Sequence, residues 1–120
     1  MGTPGREATG ADACILVADD EEAVRLTLSA VLAKIEGAQV VAAASFDDAM
    51  KALQAQAFSV LVTELTIDTG EDGLTLLGCA QELHPGIAGI VLTGSASLQS
   101  AIAALQLGAS NYLLKPCNIE

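Results

Sequence analysis

Two hydrophobic periods alternate along this chain, and that alternation limits its folds more than any other feature. Short apolar, β-branched runs of strand length recur at Cys14–Ala18, Ala38–Ala43, Phe58–Thr63, Ile87–Leu92 and Asn111–Leu114. Between them, apolar residues return every three or four positions, the period of a helix with one buried face. Val24, Leu28, Val31, Leu32 and Ile35 predict a helix from about Glu21 to Lys34. Its acidic first turn suits the positive end of the helix dipole, and Gly37 stops it. Ser45 caps a second helix that carries Ala49, Met50 and Leu53 on one face. A third runs from about Gly73 to Leu83, with Leu74, Leu77 and Ala80 inward, and His84-Pro85-Gly86 breaks it. Leu98, Ile102 and Leu105 mark a fourth, which ends at Gly108. Strand and helix therefore alternate four times before a fifth strand, which predicts an α/β fold with a doubly wound, five-stranded parallel sheet and right-handed crossovers.

Parallel strands bring their carboxyl ends to one edge, where ligands bind in sheets of this type. Four of these runs end in polar residues. Asp19 and Asp20 follow the first, Glu64 the third, Thr93 the fourth and Lys115 the fifth. All converge on one crevice if the sheet forms as expected.

Composition narrows the function. The 120 residues make one domain; 52% are apolar but only 2% aromatic, and mean hydropathy is +0.50, so Ala, Leu, Val and Ile must form the core. No apolar run approaches the roughly 20 residues of a membrane-spanning helix. Residues 1–12 are small and polar, lack the apolar stretch of a secretory signal, and read as a flexible tail ahead of a domain at 13–120. A cytoplasmic location is the expectation. A net charge of −10 with five Lys and Arg argues against nucleic acid as a partner, since little here neutralises phosphates. Cys14, Cys79 and Cys117 are odd in number, without C-x-x-C spacing, and read as small hydrophobes in a reducing compartment. No fifth helical segment follows Leu114. One sheet face, beside the first helix, is expected to lack part of its cover, which a longer chain would supply or a homodimer would bury.

In order and on the expected strands, Ile15-Leu-Val-Ala-Asp-Asp-Glu21, Ile90-Val-Leu-Thr-Gly94 and Leu107-Gly-Ala-Ser-Asn-Tyr-Leu-Leu-Lys-Pro116 resemble the receiver domain of two-component response regulators, over about Cys14 to Pro116. The resemblance implies a flavodoxin-like sheet of order 2-1-3-4-5. It implies that Asp19 and Asp20 hold Mg²⁺, with the acceptor position Glu64 and the backbone carbonyl of Thr66 completing the protein ligands, a hard-oxygen set suited to that ion. Thr93 becomes the switch residue that senses a phosphoryl group, Lys115 its counter-charge, and Tyr112 the aromatic that changes rotamer with Thr93. The bond from Lys115 to Pro116 is expected to be cis, turning the lysine inward. A sensor histidine kinase or other signalling protein is the implied partner. Read without the resemblance, Asp19 and Asp20 cap a helix, Thr93 is a turn residue and Tyr112 an amphipathic aromatic at a sheet edge.

The chain departs from the family at two points. The family's phosphoacceptor is Asp, and Glu64 has one methylene more, which carries its carboxylate toward Thr93 and Lys115. Glu64 is therefore expected to resist phosphorylation and either to imitate the phosphorylated state in part or to leave a scaffold controlled by binding, whether the Glu is natural or an engineered change. The loop Thr66-Ile67-Asp68-Thr69-Gly70-Glu71 lacks the family's Pro and is roughly one residue longer. Asp68 and Asp72 within or beside it read as solvated loop acids. Two competing functions remain: a small Mg²⁺-dependent phosphatase and an inert protein-interaction domain. The phosphatase would want Asp-x-Asp, whereas the adjacent Asp19 and Asp20 point opposite ways on an extended strand.

Overall fold

The computed structural model describes residues 13–115. The expected tail at residues 1–12, the Lys115–Pro116 bond and Cys117 lie outside the described residues. The order of elements is β1 (Ala13–Ala18), α1 (Glu22–Leu32), β2 (Ala38–Ala43), α2 (Phe46–Ala55), β3 (Val60–Thr63), α3 (Asp72–Leu83), β4 (Ala88–Thr93), α4 (Leu98–Gln106) and β5 (Asn111–Leu114). The sheet is parallel throughout in the order β2-β1-β3-β4-β5, as predicted.

Side chains of each strand alternate between two apolar layers. Leu16, Ala18, Leu61 and Val91 pack with Leu53, Leu77, Ala80 and Ala104, so α2, α3 and α4 cover one face. Ile15, Val17, Val62 and Leu92 pack with Leu28 of α1 on the other. β1, β3 and β4 are flanked by neighbours on both sides, and the near-continuous apolar runs read from sequence belong to these three interior strands, buried on both faces.

The fourth strand moves on by one residue to take in Thr93, and three assignments change more than that. The first helix ends at Leu32, not Lys34, in a succession of tighter turns in which Lys34 N–H bonds Val31 and Ile35 N–H bonds Leu32, leaving Ile35 exposed. β3 starts at Val60, because Phe58 drops into the core and Ser59 leads in through its N–H bond to Cys14. The stripe that marked α4 faces solvent: Leu98 is 77% exposed, and Ile102 and Leu105 are exposed with it, while Ser100 and Ala104 are buried. Small residues let α4 lie close to the sheet, so the leucines stay outside.

The loop from β3 to α3 is built by close approach and by carboxylates. Gly73 N–H bonds the Leu65 carbonyl at 2.9 Å, and a Cβ on Gly73 would meet the Glu64 carbonyl oxygen at 1.9 Å. Asp72 accepts N–H bonds from Ile67, Asp68 and Thr69, and Asp68 accepts one from Phe46 at the start of α2. These acids are thus structural parts of the loop rather than free solvated charges. Replacing Gly73 with Ala is expected to cost about 3 kcal/mol or more, since the obstacle is backbone; chemical denaturation checks it, and a loss below about 1 kcal/mol would contradict this packing.

Candidate functional site

Each site residue is delivered by the end of a strand. β1 leads to the buried Asp19, whose N–H bonds the Ala43 carbonyl of β2. Asp19 Oδ1 accepts the Glu21 N–H at 2.8 Å, an Asx-type turn that leads into α1, and Arg25 donates to the Asp19 carbonyl at 2.8 Å. β3 leads to Glu64, anchored by its N–H to Ala18. β4 ends in the fully buried Thr93. Beyond β5, the Lys115 N–H bonds the Thr93 carbonyl at 2.8 Å, which aims the lysine back into the crevice.

There the Lys115 ammonium meets three carboxylates at once, Asp19 Oδ2 at 2.9 Å, Glu21 Oε1 at 2.5 Å and Glu64 Oε1 at 2.7 Å. The other oxygen of Glu64 accepts N–H bonds from Leu65 at 2.6 Å and Thr66 at 3.4 Å. Both oxygens of the carboxylate are therefore held, and its reach toward Lys115 is the one its length implied. Thr93 Oγ1 accepts the Ser95 N–H at 3.0 Å. A cleft of about 640 Å³ opens beside this cluster, lined by Asp20, Val24, Leu28, Glu64, Leu92 and Lys115.

Charge and burial act in opposite directions on these groups. Burial raises Asp19 above the usual aspartate value, and the Glu21 N–H and Lys115 only partly offset it. Burial also pushes Glu64 upward, but Lys115, the Thr93 hydroxyl and the Leu65 N–H outweigh it and hold Glu64 below its ordinary value. Burial alone would lower Lys115, yet Glu21, Glu64 and Asp19 raise it well above the usual lysine range.

The structure brings together Asp19, Glu64, Thr93 and Lys115 of the residues singled out from sequence. Asp20 does not join them; it is exposed at the rim of the cleft. Glu21 takes that place, a residue that read only as part of an acidic first helical turn, although its position two residues after Asp19 was a signal. Tyr112 bonds elsewhere, to Ser100. The Thr66 hydroxyl donates to the Gly70 carbonyl, closing the loop, while its N–H faces Glu64. Oxygens of Asp19, Glu21 and Glu64 lie within 4.8 Å of one another, a hard-donor set whose chemistry fits Mg²⁺. Lys115 already lies against all three, so an ion would compete with its ammonium.

Residues 15–120 match the family model of the response regulator receiver domain. Among curated proteins, the chain is 31% identical over 105 residues to a putative NtrX-like response regulator of Rickettsia bellii, covering 87% of this chain and 22% of that protein. It is 35% identical to the alginate biosynthesis transcriptional regulatory protein AlgB of Pseudomonas aeruginosa, covering 87% and 23%. The chain thus spans less than a quarter of the length of these relatives. Among solved structures, a Burkholderia pseudomallei response regulator with a phosphorylated aspartic acid, calcium ion and citrate superposes with a TM-score of 0.82 at 36% identity, covering 90% of this chain and 62% of that one. A CheY-like receiver domain protein of Methanospirillum hungatei gives 0.81 at 31% identity, covering 89% and 84%.

Removing the ammonium would leave the buried Asp19 and Glu64 without a compensating positive charge. Lys115→Met is expected to destabilise the protein by about 3 kcal/mol near neutral pH, the low end for such a loss because Glu21 keeps solvent contact. The depressed Glu64 contributes stability above its ordinary 4.5 that is lost as pH falls through the folded value. Lys115 contributes stability that is fully present below its ordinary 10.5 and lost as pH rises through its raised value. Asp19, being raised, works against the fold as pH climbs from 3.8. Denaturation across pH should therefore show the gap between wild type and Lys115→Met widest between these limits; a gap independent of pH would contradict the ion cluster.

Proposed function

The chain belongs to the response regulator receiver domain family, and we propose that it acts there as a signalling module whose acceptor position is filled by its own carboxylate. The observation that carries this reading is the double engagement of Glu64. One oxygen lies on Lys115 and the other on the Leu65 and Thr66 N–H groups. These are charged and backbone donors at the end of β3, where an added phosphoryl group would need its own donors. A carboxylate has fewer oxygens and less charge than a phosphoryl group, so Glu64 imitates it in part.

Attack by Glu64 on a phosphodonor is disfavoured for two reasons. The attacking oxygen must leave Lys115 or the backbone amides, and its carbon is displaced by a methylene from where a shorter acid would hold it. Phosphoryl transfer depends on positioning and charge stabilisation, and a misplacement of about 1 Å costs on the order of 10²-fold. Bound Mg²⁺ would supply charge neutralisation at the same oxygens. We assign Asp19, Glu21 and Glu64 to it, with Asp20 and the Thr66 carbonyl as the remaining oxygen donors, in competition with Lys115. The module signals by binding rather than by turnover. Residues 94–114, which include α4 and β5, carry no charged side chain in a protein of net charge −10. With Leu98, Ile102, Leu105 and Leu114 exposed, they present the apolar surface for a protein partner, a sensor kinase or another signalling protein, or for a second copy of the chain.

A small phosphodonor with Mg²⁺, followed by intact mass, tests the acceptor claim on wild type and Glu64→Asp. A phosphoryl adduct is expected in Glu64→Asp alone. Equal labelling of the two would contradict it, and steady hydrolysis of a phosphate ester by the wild type would overturn the assignment as a signalling module.

A further inference from the structure

We propose that Ser100 is the positioning residue for Tyr112, so that the first turn of α4, and not Thr93, sets where this aromatic lies. Ser100 is 1% exposed, although serine is a surface residue by habit. It sits at the third position of α4 and closes a capping box with Ser97. The Ser100 N–H donates to Ser97 Oγ at 3.0 Å, and the Ser97 N–H donates back to Ser100 Oγ at 3.2 Å. Ser100 Oγ also lies 3.1 Å from the Ser97 carbonyl and within hydrogen-bond contact of the Tyr112 hydroxyl.

A serine hydroxyl has one proton and two lone pairs. The Ser97 carbonyl can only accept, so it takes the Ser100 proton. The Ser97 N–H can only donate, so it takes one lone pair. The Ser97 and Tyr112 hydroxyls share what is left of Ser100 Oγ, and either atom of the Ser100–Tyr112 contact can be the donor. The phenol is thereby tied to the same atom that organises the start of α4. Ser97 Oγ, 3.0 Å away, accepts the Ser100 N–H and donates its own proton to Ser100 Oγ, so the same oxygen gathers the capping box and the phenol.

Thr93 is spent elsewhere. Its hydroxyl accepts the Ser95 N–H and stabilises ionised Glu64, both in the crevice. In the sheet, Tyr112 pairs with Val91 and Thr93 pairs with Leu114, so the two switch residues stand diagonally on the ladder. Beside the ladder itself, the short segment from Ser95 to Ser97 joins the Thr93 hydroxyl to the capping box. A signal at Glu64 that moves that segment moves the start of α4 and with it Tyr112. The consequence for output rests on the signalling reading above; the placement of Tyr112 does not.

Tyr112 is the one tyrosine and the chain has no tryptophan, so its fluorescence reports this contact without background. Acrylamide quenching is measured on wild type, Ser100→Ala, Ser100→Thr, Ser97→Ala, Thr93→Val and Glu64→Gln. Ser100→Ala is expected to raise the quenching constant toward that of a free tyrosine, and Ser100→Thr, which keeps the hydroxyl, to restore shielding. Ser97→Ala is expected to lower helix content with shielding kept. Thr93→Val and Glu64→Gln are expected to leave shielding at the wild-type level, and these two arms decide the matter even if Ser100→Ala fails to fold. Exposure of Tyr112 by Thr93→Val or Glu64→Gln with Ser100 intact would overturn the proposal. So would equal exposure in Ser97→Ala and Ser100→Ala, which would make shielding a by-product of helix order. No phosphodonor enters this experiment, so it fails or succeeds apart from the acceptor chemistry of Glu64.

Discussion

One ammonium holds three strand ends together. Lys115 stands after β5, Asp19 and Glu21 after β1 and Glu64 after β3, and all three carboxylates reach its Nζ within 2.9 Å. Without it their oxygens, within 4.8 Å of one another, would repel. At an effective dielectric of about 20, each such repulsion is roughly 3–4 kcal/mol, and each ammonium attraction roughly 6 kcal/mol. Attraction wins before desolvation is counted, and desolvation reduces the margin, which is why Asp19 stays hard to ionise while Glu64 ionises easily. The cluster is therefore a balance of burial against one positive charge, and the crevice is closed to any second cation unless Lys115 yields.

Side-chain length decides how Glu64 enters that balance. The extra methylene of Glu64 carries one oxygen to Lys115 while the other folds back on the Leu65 and Thr66 N–H groups. The backbone beneath is fixed by Gly73, which approaches the Glu64 and Leu65 carbonyls too closely for any Cβ, and by Asp72, which gathers three N–H groups of the loop. A rigid loop leaves the carboxylate little freedom to retreat. On the far side of Thr93, the capping box of α4 holds Tyr112 through a separate set of hydroxyls. The crevice and the start of α4 are thus two hydrogen-bonded units joined by the segment from Ser95 to Ser97.

The sheet was legible because interior parallel strands are apolar on both faces and helices are not. β2 and β5 matched their runs to the residue, and Ser45 caps α2 as its side chain implied, accepting the Asp48 N–H at 3.1 Å. The family resemblance made Asp19, Glu64, Thr93 and Lys115 legible as one site. Other features depended on tertiary contacts that no local pattern encodes. Leu98, Ile102 and Leu105 form a clean helical stripe, yet α4 sits on the sheet through Ser100 and Ala104 because small residues allow the closer approach. Asp20 and Glu21 are equal candidates in one dimension, and only the turn into α1 decides that Glu21 faces Lys115. Asp68 and Asp72 read as solvated because their N–H partners are assembled by the loop itself.

The most direct test of the central claim is carbon-detected NMR titration of the Glu64 carboxyl in wild type and in Lys115→Met. The ion cluster requires Glu64 to titrate below its ordinary 4.5 in the wild type and to move upward when the ammonium is removed. A Glu64 that titrates at or above that value in the wild type, and is unmoved by Lys115→Met, would show that the carboxylate does not occupy the crevice and would contradict the account.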